Sequence, residues 1–233
     1  MKALILTGGL GKRLRPITDY VPKSLVPINN VPIIEWQIRY FKKFGITDFV
    51  ICSGYKNEQI INYLEAKKNF CLTIHYSVEN NPLGTGGAIK NASRFIDEPN
   101  FFVINGDVIT DLDPRKLQAK QNSIAVVPLR TSFGIVDITD NKVTKFYEKP
   151  IIPEYWMNAG VYYLSREITN HIPKKGNIEN LTFPIYASKD KLTAVKYPNA
   201  FWHSIDSHKD IEECTKNIVT KHYDEFIFKK WQK

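Results

Sequence analysis

KALILTGGLGKRLRP, residues 2–16, begins as a short apolar run and breaks into glycines and cations. The run Lys2–Thr7 falls far short of the roughly 20 apolar residues of a membrane span. It leads into a glycine pair and a basic loop instead of the small-residue cleavage site of a secretion signal. It reads as a buried first strand. A glycine-rich turn directly after such a strand lets the backbone approach an anion closely and point several N–H groups at it. Two phosphate-binding patterns can be tested. The pattern G-x-x-x-x-G-K-[ST] fails, because its first glycine falls on Leu6 and Arg13 stands where Ser or Thr belongs. The dinucleotide pattern G-x-G-x-x-G takes Gly9 and Gly11 but meets Leu14 at its third glycine. What remains is a glycine loop with its own cations, Lys12, Arg13 and Arg15, which suits a free triphosphate better than a dinucleotide. Leu6, Gly8, Gly9 and Gly11 are its candidate nucleotide contacts; the plainer alternative is a tight turn with surface charges.

Outward from this loop, strand-like and helix-like segments alternate. Pro32–Phe44 has apolar residues near helical spacing, with Pro at its start and Gly45 beyond its end. Phe49–Ser53 is a strand, Glu58–Lys67 an amphipathic helix, Leu72–Tyr76 a strand and Thr85–Phe95 a helix. Phe101–Asn105 is a continuous apolar strand ending in Gly106-Asp107. This β-α-β-α-β order predicts a Rossmann-like α/β fold, a mixed and mainly parallel sheet with helices on both faces. In the second half, Ser123–Pro128, Gly134–Thr139 and Lys142–Tyr147 read as antiparallel additions to that sheet, with a turn at Asp140-Asn141. Trp156–Leu164 is a further strand, Leu181–Ser188 a helix and Leu192–Tyr197 a strand. One terminal helix runs from Ser207 into the tail FIFKKWQK, with its aromatic face expected against the body. No linker or repeat interrupts residues 1–233, so one domain is expected, with a nucleotide-binding half (1–110) and a sugar-binding half (111–233).

The chain has 233 residues, 43% hydrophobic and 24% charged, a composition that excludes a disordered or membrane-spanning protein. Cys52, Cys71 and Cys214 are odd in number and far apart, which excludes a disulfide scaffold or a C-x-x-C metal site. They are expected to be packed, in a reducing cytoplasm. The net charge of +8 favours polyanionic partners. The basic residues are scattered and the aromatics lie in strands and helices, so nucleic acid is not the expected partner.

A second cation, Lys23, lies in VPKSLVP (residues 21–27), stiffened by Pro22 and Pro27. Together, GGLGKRLRP and PKSLVP resemble the signature of the sugar-1-phosphate nucleotidyltransferases, G-G-x-G-x-R-L followed by P-K-x-x-x-P. The resemblance extends in order over residues 5–165. Pro82–Ala88 (PLGTGGA) is similar to the family's nucleobase loop, with Gly84 and Thr85 as contacts and Glu79 just upstream. A carboxylate only accepts hydrogen bonds, so Glu79 leans toward guanine, which offers N1–H and N2–H₂. Asp107, after a strand, is the family's metal ligand; the plainer reading is a turn cap. Phe133-Gly134-Ile135-Val136 resembles the strand entry where Gly134 admits the sugar. In Glu148-Lys149-Pro150 the resemblance puts Glu148 on sugar hydroxyls and Lys149 on the sugar phosphate. Asn158, in NAGVY, falls on the sugar.

One motif departs. Many relatives read W-x-D, whereas Trp202-His203-Ser204-Ile205-Asp206 places Ser204 there and its Asp two residues on. Residues two apart on a strand share a face, so Asp206 is expected as the second metal ligand; the alternative is a cap for the helix after it. Cytidylyl-transferring relatives share this form, and Tyr55-Lys56 also resembles them.

The resemblance implies a nucleotide-diphospho-sugar transferase fold and an Mg²⁺-dependent transfer of a nucleotidyl group from an NTP to a sugar 1-phosphate. A hexose or heptose 1-phosphate with GTP or UTP is expected, with CTP and dTTP open. Arg13 would take the β,γ-phosphates and Lys23 the α-phosphate. Without a hexapeptide-repeat extension, one activity is expected; a homo-oligomer is among the arrangements allowed. The rival from another class is a noncatalytic regulatory subunit that binds a nucleotide sugar.

Overall fold

The computed structural model describes residues 1–131 and 133–228. In chain order, β1 (Lys2–Leu6) is followed by α1 (Ile17–Tyr20), the short strands β2 (Pro27–Ile28) and β3 (Val31–Pro32), α2 (Ile33–Lys43), β4 (Asp48–Ser53), α3 (Asn57–Ala66), β5 (Thr73–Val78), α4 (Gly84–Ala92) and β6 (Asn100–Asn105). Next come β7 (Val108–Thr110), β8 (Ser123–Arg130), β9 (Ile135–Thr139), β10 (Lys142–Tyr147) and β11 (Ile151–Ser165). The chain continues with α5 (Ile178–Leu181), α6 (Phe183–Ala187), β12 (Thr193–Lys196), β13 (Trp202–Ser204), α7 (His208–Thr220) and α8 (Tyr223–Phe228).

A seven-stranded sheet runs in the order β12-β8-β11-β6-β1-β4-β5. β1 pairs in parallel with β4 and β6, and β4 with β5. β11 is antiparallel to β6 and β8, and β12 parallel to β8. The sheet is thus mixed and mainly parallel. Its strands read as unbroken apolar runs because both faces are covered. Phe102 and Ile104 of β6 face a core shared with Ile38 and Phe41 of α2, Ile60 and Leu64 of α3, and Cys214 and Ile218 of α7. Phe101 and Val103 face the other core, with Ala88 and Ile89 of α4, Ile178 of α5 and Phe183 of α6.

Four expectations change. β9 and β10 do not join the sheet; they form their own antiparallel hairpin, turned by Asp140 and Asn141, both with positive φ. Two left-handed residues at such a turn match the right-handed twist of the flanking strands. The helix expected over 181–188 is divided into α5 and α6, where Pro184 lacks the N–H that a continuous helix needs. The terminal helix is also two, broken at His222, whose φ is 51°. Finally, Cys52 and Cys214 are buried but Cys71 is exposed. Of the aromatic tail, Phe226 stacks on Tyr223 at 5.7 Å between ring centroids, and Tyr223 in turn stacks on Phe201 at 4.4 Å. Lys229 to Lys233 of the tail lie outside the described residues. Among the described residues no helix is long and apolar enough to cross a membrane.

Candidate active site

In an open α/β sheet, ligands bind beyond the carboxyl ends of the strands. Here β1 runs into the glycine loop, β5 into Glu79 and β6 into Asn105-Gly106-Asp107. A cleft of about 390 Å³ opens between them, lined by Leu6, Gly8, Gly9, Gly11, Arg13, Lys23, Glu79, Gly84, Thr85, Asp107 and Asp206, along with Asn177. The structure therefore gathers the candidate nucleotide and metal residues, with the cations Lys12, Arg13 and Lys23, into one cleft.

The glycine loop is shaped by close contacts. Gly11 has φ 62°, and a Cβ there would sit 2.8 Å from Cγ2 of Thr18, whose hydroxyl donates to the Gly11 carbonyl at 2.9 Å. At Gly8 a Cβ would meet the Glu79 carboxylate at 2.2 Å, so the half-buried Glu79 leans directly on the loop backbone. Burial pushes the Glu79 carboxyl above its usual range, and the Leu83 N–H, donating at 3.3 Å, offsets part of that. Arg15 turns away from the cleft to pair with Asp19 at 3.0 Å. Tyr55 and Lys56 brace the same segment, the hydroxyl donating to the Thr18 carbonyl at 3.2 Å and the ammonium to the Asp19 carbonyl at 2.8 Å.

Asp107 and Asp206 come together through backbone pairing. β7 and β13 are antiparallel, with Ser204 opposite Val108, and the Ile205 N–H donates to the Asp107 carbonyl at 2.9 Å. Gln37, buried on α2, holds the turn from beneath by donating to the carbonyls of Asn105 and Val108 at 2.8 and 2.9 Å. Lys23 Nζ donates to Asp107 Oδ2 and Asp206 Oδ1, both at 2.7 Å, and Arg13 Nη2 reaches the same Asp206 oxygen at 2.7 Å. Burial alone would raise the Asp206 pKa; the hydrogen bond and charge of Lys23, with Arg13, outweigh it and hold the carboxyl below its usual range. Ser204, at the common Asp position, donates to Asp206 Oδ2 at 3.2 Å.

Two carboxylates that meet at one ammonium can also meet at one cation. Among the described residues no third His, Cys, Asp or Glu completes a metal cluster with them. That donor set fits Mg²⁺, which takes one or two carboxylates together with phosphate oxygens.

The helix after Asp206 is capped by its neighbour instead. Ser207 and Asp210 form a capping box, and the Asp210 carboxylate also accepts the Asp206 N–H at 2.9 Å. Ser207→Ala is expected to cost about 1 kcal/mol, read as a lower urea midpoint at unchanged slope. An unchanged midpoint would show that the box contributes nothing.

None of the sugar-side candidates lines the cleft. Asn158 is exposed, its Nδ2 donating to the buried Tyr162 hydroxyl at 2.8 Å. Gly134, Glu148 and Lys149 are not brought to the cleft. They lie on or beside the β9–β10 hairpin, where Glu148 and Lys149 are exposed and pair with each other at 3.5 Å. Three residues of the site carry no signal that the motifs isolate. Asn177 and Glu179 follow a PKKG stretch that matches no motif, and Tyr162 is the last residue of NAGVY.

A profile of the nucleotidyl transferase family matches residues 2–221. A D-glycero-α-D-manno-heptose 1-phosphate guanylyltransferase of Aneurinibacillus thermoaerophilus is 39% identical over 72% of this chain and 76% of that protein. A mannose-1-phosphate guanyltransferase of Kluyveromyces lactis is 36% identical over 90% of this chain and 62% of its own length, so the chain spans about three-fifths of that relative. The crystal structure of HddC from Yersinia pseudotuberculosis, complexed with GMP-PN, superimposes with a TM-score of 0.73 at 28% identity, covering 93% of this chain and 99% of that one. The chain belongs to the nucleotidyl transferase family and, within it, to the sugar-1-phosphate nucleotidyltransferases.

Proposed function

We propose that the protein transfers a guanylyl group from GTP to a hexose or heptose 1-phosphate, releasing pyrophosphate. The observation that carries this is the junction of Arg13 and Lys23 with Asp107 and Asp206 at the rim of a glycine-lined cleft. Guanine is supported by the half-buried carboxylate of Glu79 and by the guanylyl-transferring relatives. The attacking phosphate is already an anion, so the reaction needs positioning and charge neutralisation and no general base. Arg13 and the amides of Gly8, Gly9 and Gly11 take the β,γ-phosphates, and Lys23 takes the α-phosphate. Asp107 and Asp206 hold the divalent metal, Mg²⁺, which supplies positive charge to the phosphate oxygens when bound. Asn158 orients the sugar. Gly134, Glu148 and Lys149 enter this reading through the motif resemblance; their exposed positions add no support of their own.

In this reading residues 1–110 supply the nucleotide site and 111–233 the sugar side, with Asp206 and Asn177 crossing from the second half into the first. The proposed setting is the cytoplasm, where three unpaired cysteines stay reduced.

The test is pyrophosphate release with Mg²⁺ across ATP, CTP, GTP, UTP and dTTP, each against several hexose and heptose 1-phosphates. Release that requires GTP with one sugar phosphate is expected. Release with another nucleotide alone overturns the choice of base; no release from any pair overturns the reaction.

A further inference from the structure

The loop carrying Gly84 and Thr85 is clamped by a segment distant in sequence. The Gly176 N–H donates to the Leu83 carbonyl at 2.7 Å, and the Gly87 N–H to the Gly176 carbonyl at 3.1 Å. The Thr85 N–H donates to Asn177 Oδ1 at 3.2 Å, and Thr85 Oγ1 accepts the Ile178 N–H at 3.0 Å. The close approach explains the run of glycines: a Cβ at Gly84 would lie 2.6 Å from Asn177 Oδ1, and one at Gly87 would lie 2.7 Å from the Lys174 carbonyl oxygen. Thr85 is thus engaged with this segment through both its amide and its hydroxyl.

Its hydroxyl proton goes to Glu179 Oε2. The other carboxylate oxygen, Oε1, accepts the Tyr162 hydroxyl at 3.1 Å. Tyr162 is fully buried; burial first, and then the Glu179 charge, push its pKa far above the usual tyrosine range, so it stays a proton donor. Its single proton is given to Glu179, which leaves the phenolic oxygen to accept only. That oxygen accepts Asn158 Nδ2 at 2.8 Å, while Asn158 Oδ1 accepts the Gly160 N–H at 3.0 Å. The Asn158 amide is thus held at both ends, its Oδ1 by the Gly160 N–H and its Nδ2 by a Tyr162 oxygen that accepts because its proton is committed to Glu179. One carboxylate has one oxygen on the nucleotide loop and the other on the chain that ends at the sugar-side amide.

We propose that Glu179 is a positioning residue that couples the two substrate subsites, fixing Thr85 on one side and, through Tyr162, the amide of Asn158 on the other. This rests on the reading of the cleft given above. Glu179→Gln can donate as well as accept, so it no longer commits the Tyr162 proton and loosens the Tyr162 hold on Asn158 Nδ2, while the Gly160 N–H still holds Oδ1.

The test is two-substrate kinetics on the full chain with the active pair from the nucleotide grid. Tyr162→Phe is expected to raise the KM for sugar 1-phosphate about tenfold, the scale of one hydrogen bond to a charged group, and Thr85→Val to raise the KM for the nucleotide instead. Glu179→Gln should raise both with a smaller change in kcat. Adding Tyr162→Phe to Glu179→Gln should then cost no more than about twofold, because residues in one network are non-additive. Should Glu179→Gln fail to give a cooperative melt, the Thr85→Val/Tyr162→Phe double variant decides, since it keeps Glu179. A loss smaller than the product of the single losses supports the coupling. Multiplicative losses, or a Glu179→Gln effect confined to kcat, overturn it while the wild type stays active. A wild type inactive with every pair overturns the reading of the reaction, and the coupling with it.

Discussion

Asp107→Asn is expected to lower Mg²⁺-dependent pyrophosphate release by about a hundred- to a thousandfold, the scale on which one preorganised electrostatic group acts, without loosening the fold. The fold survives because the backbone, and not the carboxylate, holds residue 107 in place. Its carbonyl accepts the Ile205 N–H at 2.9 Å, and the flanking carbonyls of Asn105 and Val108 accept Gln37 at 2.8 and 2.9 Å. An asparagine has the same shape and still offers Lys23 an acceptor. It takes away one of the two negative charges that meet at Lys23 Nζ, and a hard cation loses half of its carboxylate ligands. Activity is measured with the active substrate pair while Mg²⁺ and then Mn²⁺ is titrated, beside a thermal melt of each protein. The expected variant melts like the wild type and regains little activity at high metal. Turnover within about tenfold of wild type at saturating Mg²⁺ would remove Asp107 from the metal site, since a lost preorganised group costs more than that.

What could be read in advance, and what could not, divides along a physical line. The parallel half was legible because local pattern and environment agree there. FFVI, residues 101–104, is apolar at every position since β6 is covered on both faces, and Gly106 marks where the chain must turn against β1. Arg13, Asp107 and Asp206 converge in the cleft because each follows the end of a strand, β1, β6 and β13, and Lys23, between α1 and β2, joins them although up to 193 residues separate the four in sequence. The β9–β10 hairpin departs from the expected sheet because the turn at Asp140-Asn141 marks two antiparallel strands without naming what else they pair with. Val136, Ile138, Val143 and Phe146 are large and apolar, yet all of them remain exposed. The clamp on α4 was not legible at all. GTGG looks like a loop made to approach a ligand, but its glycines also admit the backbone of 174–176, a contact between segments some 90 residues apart. Glu179 draws its importance from what Thr85 and Tyr162 do with their protons, and no spacing rule in the chain announces that.

Gly106→Ala should damage both stability and turnover, more than its single methyl implies. A Cβ on residue 106 would lie 2.2 Å from the Leu6 carbonyl oxygen and 2.9 Å from the Leu6 carbonyl carbon. Those are backbone atoms at the end of β1, a strand held on both sides by β6 and β4, so they cannot swing aside as a flexible side chain would. The same Leu6 oxygen accepts the Gly106 N–H at 2.9 Å, and relieving the clash pulls that bond apart. Overpacking of this kind costs about 1–3 kcal/mol, and the lost hydrogen bond adds about 1 kcal/mol. Urea unfolding should show the lowered midpoint at unchanged slope, the mark of a stability change within two-state behaviour. Gly9→Ala serves as the control for stability alone, because a Cβ there meets nothing within 4 Å. Its midpoint should shift by no more than about 0.5 kcal/mol in equivalent stability. The catalytic consequence follows from the same geometry. β1 carries the loop that holds Arg13, and β6 carries Asp107, so separating their ends misplaces the carboxylate relative to the cations. A displacement of about 1 Å can cost on the order of a hundredfold in rate, and kcat/KM should fall accordingly in the fraction that remains folded. A Gly106→Ala protein as stable as the wild type would mean that β1 and β6 can separate at the cleft without penalty, and the account of how the fold positions Asp107 would be wrong.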